Sequence, residues 1–129
     1  MIIDGIEIDS LLRARTNFEA FRIDMVTKRD KAGAIQAFEY TYERAWKIMK
    51  KLIEKRGGIP FSINGTRDIF RAAAVLNMIP NPTLWFTFIE ARNITVHTYD
   101  EKEVDMVIAV FDDFSRELTL FLANIGVPT

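Results

Sequence analysis

Residues 35–52 read Ile35-Gln36-Ala37-Phe38-Glu39-Tyr40-Thr41-Tyr42-Glu43-Arg44-Ala45-Trp46-Lys47-Ile48-Met49-Lys50-Lys51-Leu52. Within this run Ile35, Phe38, Tyr42, Ala45, Met49 and Leu52 step by three and four without a miss. That spacing lays one apolar stripe along an α-helix, whereas a strand would alternate with period two. It is the kind of stripe a helix carries in a bundle. Glu39, Glu43, Lys47, Lys50 and Lys51 occupy the other face, with Glu43–Lys47 a favourable i,i+4 pair and Lys47–Lys51 a repulsive one. Gly57-Gly58 ends the pattern, and Lys55 and Arg56 suit the negative end of the helix dipole. The spacing predicts a helix over about 29–56, roughly 40 Å long at about 1.5 Å per residue.

Outward from this helix the rest of the chain also reads as helical. Toward the N-terminus, Leu11, Leu12, Phe18, Phe21, Met25 and Val26 fall roughly at helical spacing, predicting a helix over about 10–27 with Asp9 or Ser10 as N-cap. Ahead of it, Ile2, Ile3, Ile6 and Ile8 fit either a short extended piece or a hydrophobic lead-in. Toward the C-terminus, residues 57–65 form a connection, and Thr66 can cap a third helix reaching about Met78. Asn81 as N-cap and Pro82 at the first helical position predict a fourth helix over about 82–97. Asp100 with Glu103 makes an acidic capping box for a fifth, along which Val104, Val107, Phe111, Phe114, Leu118, Phe121 and Ile125 step by three and four. Asp112, Asp113 and Glu117 are read as an acidic surface on that helix. The predicted fold is all-α, an antiparallel up-and-down bundle of four or five helices in a single domain spanning 1–129.

Composition narrows the function classes. There is no cysteine, which excludes a disulfide framework or a thiolate metal site. Lys+Arg 17 against Asp+Glu 18 leaves a net charge of −1, too little for bulk non-specific nucleic-acid binding, though not for a local basic patch. The run Lys47, Lys50, Lys51, Lys55 and Arg56 reads as a solvated face or a weak RNA-facing patch. No stretch reaches the ~18 uncharged apolar residues of a membrane span, and the N-terminus lacks the features of a signal peptide. The expectation is a soluble cytoplasmic protein with no membrane contact.

The chemistry-bearing stretch is Arg92-Asn93-Ile94-Thr95-Val96-His97-Thr98-Tyr99, which holds the single histidine. On an unbroken α-helix Asn93 and His97 share a face, and the long Arg92 side chain converges on the imidazole if the helix loosens near His97. A histidine can take a proton from a ribose 2′-hydroxyl or give one to a leaving oxygen. An arginine can hold a phosphate and stabilise the charge developing on it. No metal is required and no metal-ligand spacing stands out, nor is there a phosphate loop or nucleophile elbow. An arginine and a histidine near a helix C-terminus also simply answer the dipole, and residue types alone leave that alternative open.

The segment Arg92 to Asp100 resembles the arginine–x4–histidine signature of the HEPN superfamily, and its histidine-x-tyrosine extension resembles the HepT-like, or nucleotidyltransferase substrate-binding, subgroup. Residues 29–50 are similar to that subgroup's second helix, with its Ile-Gln-x-Phe-Glu-(Phe or Tyr)-Thr-(Phe or Tyr)-Glu-x-Ala-Trp-Lys run. The resemblance covers about 29–125; the first 28 residues match poorly, and Val96 stands where a small polar residue is usual. It implies a homodimeric helical bundle that partners a minimal nucleotidyltransferase in a toxin–antitoxin type system. It further implies a metal-independent endoribonuclease without cofactor, acting on RNA where the motifs of two protomers meet. On this basis Arg92 would hold phosphate, His97 would transfer protons, Asn93 would orient the site, and Tyr99 would be the position adenylylated by the partner. The same resemblance also allows a non-catalytic subunit that binds substrate or nucleotide for the transferase.

Overall fold

The computed structural model describes residues 1–97 and 100–128, and of His97 the backbone only. The first residues form a small antiparallel hairpin, β1 (Ile2–Ile3) and β2 (Ile6–Glu7), with Ile3 opposite Ile6. Asp4 and Gly5 both take positive φ, at 51° and 81°, which is what a two-residue turn between twisted strands requires. The extended alternative for this segment is therefore the one observed. The first helix, α1, runs from Asp9 to Ile23. Neither Asp9 nor Ser10 caps it: Ile8 occupies that position, and Asp9 instead binds the N-terminal ammonium at 2.6 Å. Helix α2 spans Lys28–Arg56, starting at a capping box between Thr27 and Asp30 and ending at Gly57, whose φ is 65°. Then follow α3 (Thr66–Val75), α4 (Thr83–Ile94), α5 (Glu101–Ile108) and α6 (Phe111–Asn124).

The fifth predicted helix is thus two. At the junction the Val110 amide donates to Val107, three residues back, before the i→i−4 ladder resumes at Phe114. This tightening leaves Val107, Phe111 and Phe114 all buried, so the apolar stripe continues across a break it does not reveal. Counting α5 and α6 as one interrupted helix, the all-α bundle has five helices among the described residues. Asn81 serves the start of α4, its side chain accepting from the Thr83 amide, although the helix begins one residue later than predicted.

Helix α2 is the central post, touching α1, α3, α4 and α5. The buried stripe predicted for it is present, with Phe38, Ala45, Met49 and Leu52 sealed from solvent. Phe38 and Phe18 of α1 stack edge-on against Phe114 of α6, and Phe114 meets Trp85 and Phe88 of α4. Aromatic pairs of this geometry each add about 0.5–1.5 kcal/mol beyond their buried area. Gly33 lets α2 approach α1 closely, since a Cβ there would sit 2.8 Å from the Phe21 ring. Among the described residues no helix is long and apolar enough to cross a membrane.

Candidate functional site

Helix α4 turns one face to the aromatic core and carries Arg92 in its last turn. Trp85, Phe88 and Ala91 on that face are buried, which fixes the rotation of the helix and sends Arg92 toward α2. The α-helix ends at Ile94, and Thr95–His97 form a 3₁₀ turn. Thr95 contributes to that change: its hydroxyl donates to the Arg92 carbonyl at 2.7 Å, competing with the regular ladder. The unbroken α-helical relation expected between Asn93 and His97 is therefore not kept.

Arg92 is held from three sides. Its Nη1 donates to Thr95 Oγ1 at 3.0 Å and lies 3.6 Å from Glu39 Oε2. Its Nε lies 3.4 Å from Glu43 Oε1 but makes no well-formed hydrogen bond there, although it is buried. The Glu43 carboxylate is itself steadied by the Trp46 indole, which donates to Oε2 at 3.1 Å. Glu39 and Glu43 are one helical turn apart on α2, so together they form a carboxylate fork around one guanidinium. Nη2 takes no part in any of these contacts, and the side chain keeps 28 % of its exposure. Beneath the fork, burial and the Glu43 charge push the Tyr42 phenol far above its ordinary value, while Arg92 and Arg67 pull it down.

The four sequence-derived site residues fare differently. Arg92 is half-buried and organised, whereas Asn93 is exposed and makes no side-chain hydrogen bond among the described residues. The His97 backbone closes the 3₁₀ turn, its side chain lies outside the described residues, and so does Tyr99 altogether. Sequence reasoning missed Glu39 and Glu43 as parts of the site. Glu43 faces Arg92 rather than pairing with Lys47, whose ammonium sits over the Trp46 ring instead. The available signal was positional: Glu39 falls between Ile35 and Tyr42 at four and three residues, beside the buried stripe. The basic run on the same helix does not join the fork; its last member, Arg56, is tied to Asp4 at 2.8 Å.

Another group read as surface is also corrected. Glu117 of α6 is 6 % exposed and lies against Trp85. Burial pushes its carboxyl above the ordinary value, opposed by the Arg116 charge and the nearby Trp85 N–H. The indole nitrogen is close enough to steady the charge yet makes no well-formed hydrogen bond.

Beside the fork, between α2 and α5, is a cavity of about 490 Å³ to which Glu39 contributes a wall. Among the described residues no three His, Asp or Glu side chains are grouped as for a metal ion.

A helical bundle whose fourth helix ends in an arginine gripped by two carboxylates, with a histidine five residues on, defines a small all-α protein with a polar working end. The chain belongs to the family described as nucleotidyltransferase substrate binding protein like, whose model matches residues 8–125. The match begins at residue 8 and so includes α1, ahead of the motifs that carried the HepT-like resemblance. A Haemophilus influenzae protein described as a probable ribonuclease HepT is 36 % identical over 96 residues, covering 73 % of this chain and 66 % of that protein, just under two thirds of its length. A solved H. influenzae structure, described as having the fold of a substrate binding domain of a nucleotidyltransferase, superposes with a TM-score of 0.82 at 30 % identity, over 92 % of this chain and 98 % of that one. A Thermus thermophilus structure shares the fold at a TM-score of 0.79 and 21 % identity, over 90 % and 98 %.

Proposed function

We propose that this protein is the HEPN half of a two-component system, a cytoplasmic homodimeric ribonuclease restrained by a nucleotidyltransferase. The observation that carries this reading is the Arg92 fork: a guanidinium whose Nη1 donates to Thr95 and which Glu39 and Glu43 flank, with Nη2 outside these contacts. In the proposed reaction a His97 imidazole takes the proton of a ribose 2′-hydroxyl, and that oxygen attacks the adjacent phosphorus. The bond to the 5′-oxygen breaks, and the leaving oxygen takes a proton from a second, protonated imidazole, that of the other protomer. The products are a 2′,3′-cyclic phosphate and a 5′-hydroxyl. Arg92 stabilises the charge on the non-bridging oxygens, Asn93 orients the neighbouring turn, and adenylylation of Tyr99 by the partner silences the site.

Induced expression of the chain alone in a bacterial host, beside His97→Ala, tests this. Growth arrest with RNA cleavage, both lost in the variant, is the expected result; harmless expression of both proteins contradicts it. The second reading, a subunit that binds substrate for the transferase without catalysis, is favoured by the family description and by the description of the H. influenzae structure. It predicts that the chain binds its transferase and cleaves no RNA.

A further inference from the structure

The cavity beside Arg92 is not used by the proton transfers above. Its volume, about 490 Å³, falls in the range of small-molecule sites, which run about 300–1,000 Å³. Its lining is divided by chemistry. Ala32 and Ile35 of α2 and Val104 of α5 give an apolar wall. Gln36, exposed on the same face of α2, offers both a donor and an acceptor. Lys28 and Lys31 bring two ammonium groups; among the described residues Lys31 has one distant acidic partner, Asp105 at 3.9 Å, and Lys28 makes no ion pair. Asp100 also lines the space, but its side chain is engaged in capping α5 through the Glu103 amide.

Glu39 connects this cavity to the motif, because the same carboxylate lines the cavity and pairs with Arg92. An apolar wall for a flat ring, an amide for its edge and lysines for an anion together match a nucleotide better than a peptide or a sugar. We propose that this cavity binds one nucleoside monophosphate unit, its base against Ile35, Ala32 and Val104, its edge on Gln36 and its phosphate toward Lys28 and Lys31. The unit is the RNA residue next to the phosphate that Arg92 holds, and the cavity thereby selects where the chain is cut. This rests on Arg92 being a phosphate-holding group, as in the preceding section. Glu101, across the cavity on α5, adds an acceptor for ribose hydroxyls or an exocyclic amine and disfavours an anion on its own side.

The test uses the full chain, with Ala32→Trp to fill the space and Gln36→Leu to remove the edge contact. Both positions are exposed on α2, so neither substitution disturbs the core, and unchanged melting curves verify this. Each of the four ribonucleoside 5′-monophosphates, and an uncleavable 2′-O-methyl tetranucleotide, is titrated and followed by ligand-observed NMR. The expected result is binding to the parent chain that weakens about tenfold or more in Ala32→Trp, a loss of about 1.4 kcal/mol, with the order among bases altered in Gln36→Leu. Cut sites mapped on a mixed RNA should favour one base in the parent and lose that preference in Ala32→Trp. Mononucleotide binding that depends on Ala32, in a chain that cleaves no RNA, keeps the cavity, assigns it to free nucleotide and overturns the ribonuclease reading instead. No binding of any probe at millimolar concentration, or equal binding by Ala32→Trp, overturns the proposal even if the chain cleaves RNA.

Discussion

The two halves of α4 solve the same problem in opposite ways. Each buries a nitrogen donor that lacks a well-formed hydrogen bond, Trp85 Nε1 in the first half and Arg92 Nε in the last turn. Each of these donors has a carboxylate beside it, from Glu117 on α6 and from Glu43 on α2 respectively. Around Trp85 the carboxylate is sealed in with the aromatic core, where its charge has little to gain and burial opposes it. Around Arg92 two carboxylates share a cation that stays partly open to solvent. The side chains of these pairs keep 28–33 % of their exposure, and pairs that stay partly open to solvent contribute little to stability, about 0–1 kcal/mol. The fork therefore makes more sense as a device that orients a guanidinium than as one that holds the fold.

That contrast can be broken at its most costly point by Phe88→Ala. Phe88 is fully buried between Trp85 and Phe114, and its loss should destabilise the chain by about 3–5 kcal/mol, read from urea denaturation. Arg92→Lys should do the reverse. The ammonium keeps the charge but cannot reproduce the planar fork, so RNA cleavage should fall roughly a hundredfold while the melting temperature barely changes. If Arg92→Lys unfolds the protein as Phe88→Ala does, the carboxylate fork is structural and the contrast fails.

Glu117→Gln sharpens the same contrast with a smaller effect. A carboxyl whose value is raised by folding binds its proton more tightly in the folded state, so the ionised side chain weakens the fold above that raised value. The amide should therefore raise the melting temperature at neutral pH. Its advantage should shrink as pH falls through the raised value and vanish below the ordinary value of 4.5. A difference that persists undiminished in acid would mean that the carboxylate's charge is not what opposes burial.

What could be read from the sequence follows the same division. The α2 stripe was legible because Ile35, Phe38, Tyr42, Ala45, Met49 and Leu52, which step through it by three and four, are all buried and the register never slips between Ile35 and Leu52. The α5–α6 break was not, because Val107, Phe111 and Phe114 keep helical spacing across the tightened turn. Glu117 sits three residues after Phe114 and four before Phe121, so its burial was signalled by position and masked by its charge. Arg92 was found through its spacing to His97. Its carboxylate partners lie 53 and 49 residues earlier in the chain, and only the packing of α4 against α2 brings them to it. A local motif can thus announce a charged group without announcing what holds it.

The proposed ribonuclease reaction uses only groups of this chain, gathered at the end of α4. The most direct measurement is cleavage of an end-labelled RNA by the purified protein in excess EDTA, comparing the parent with Arg92→Ala and His97→Ala. Fragments ending in 2′,3′-cyclic phosphate are expected from the parent, with a loss of about 10²–10⁴-fold in the His97 variant and Arg92→Ala also strongly reduced. Equal cleavage by all three proteins, or none by the parent, would contradict it.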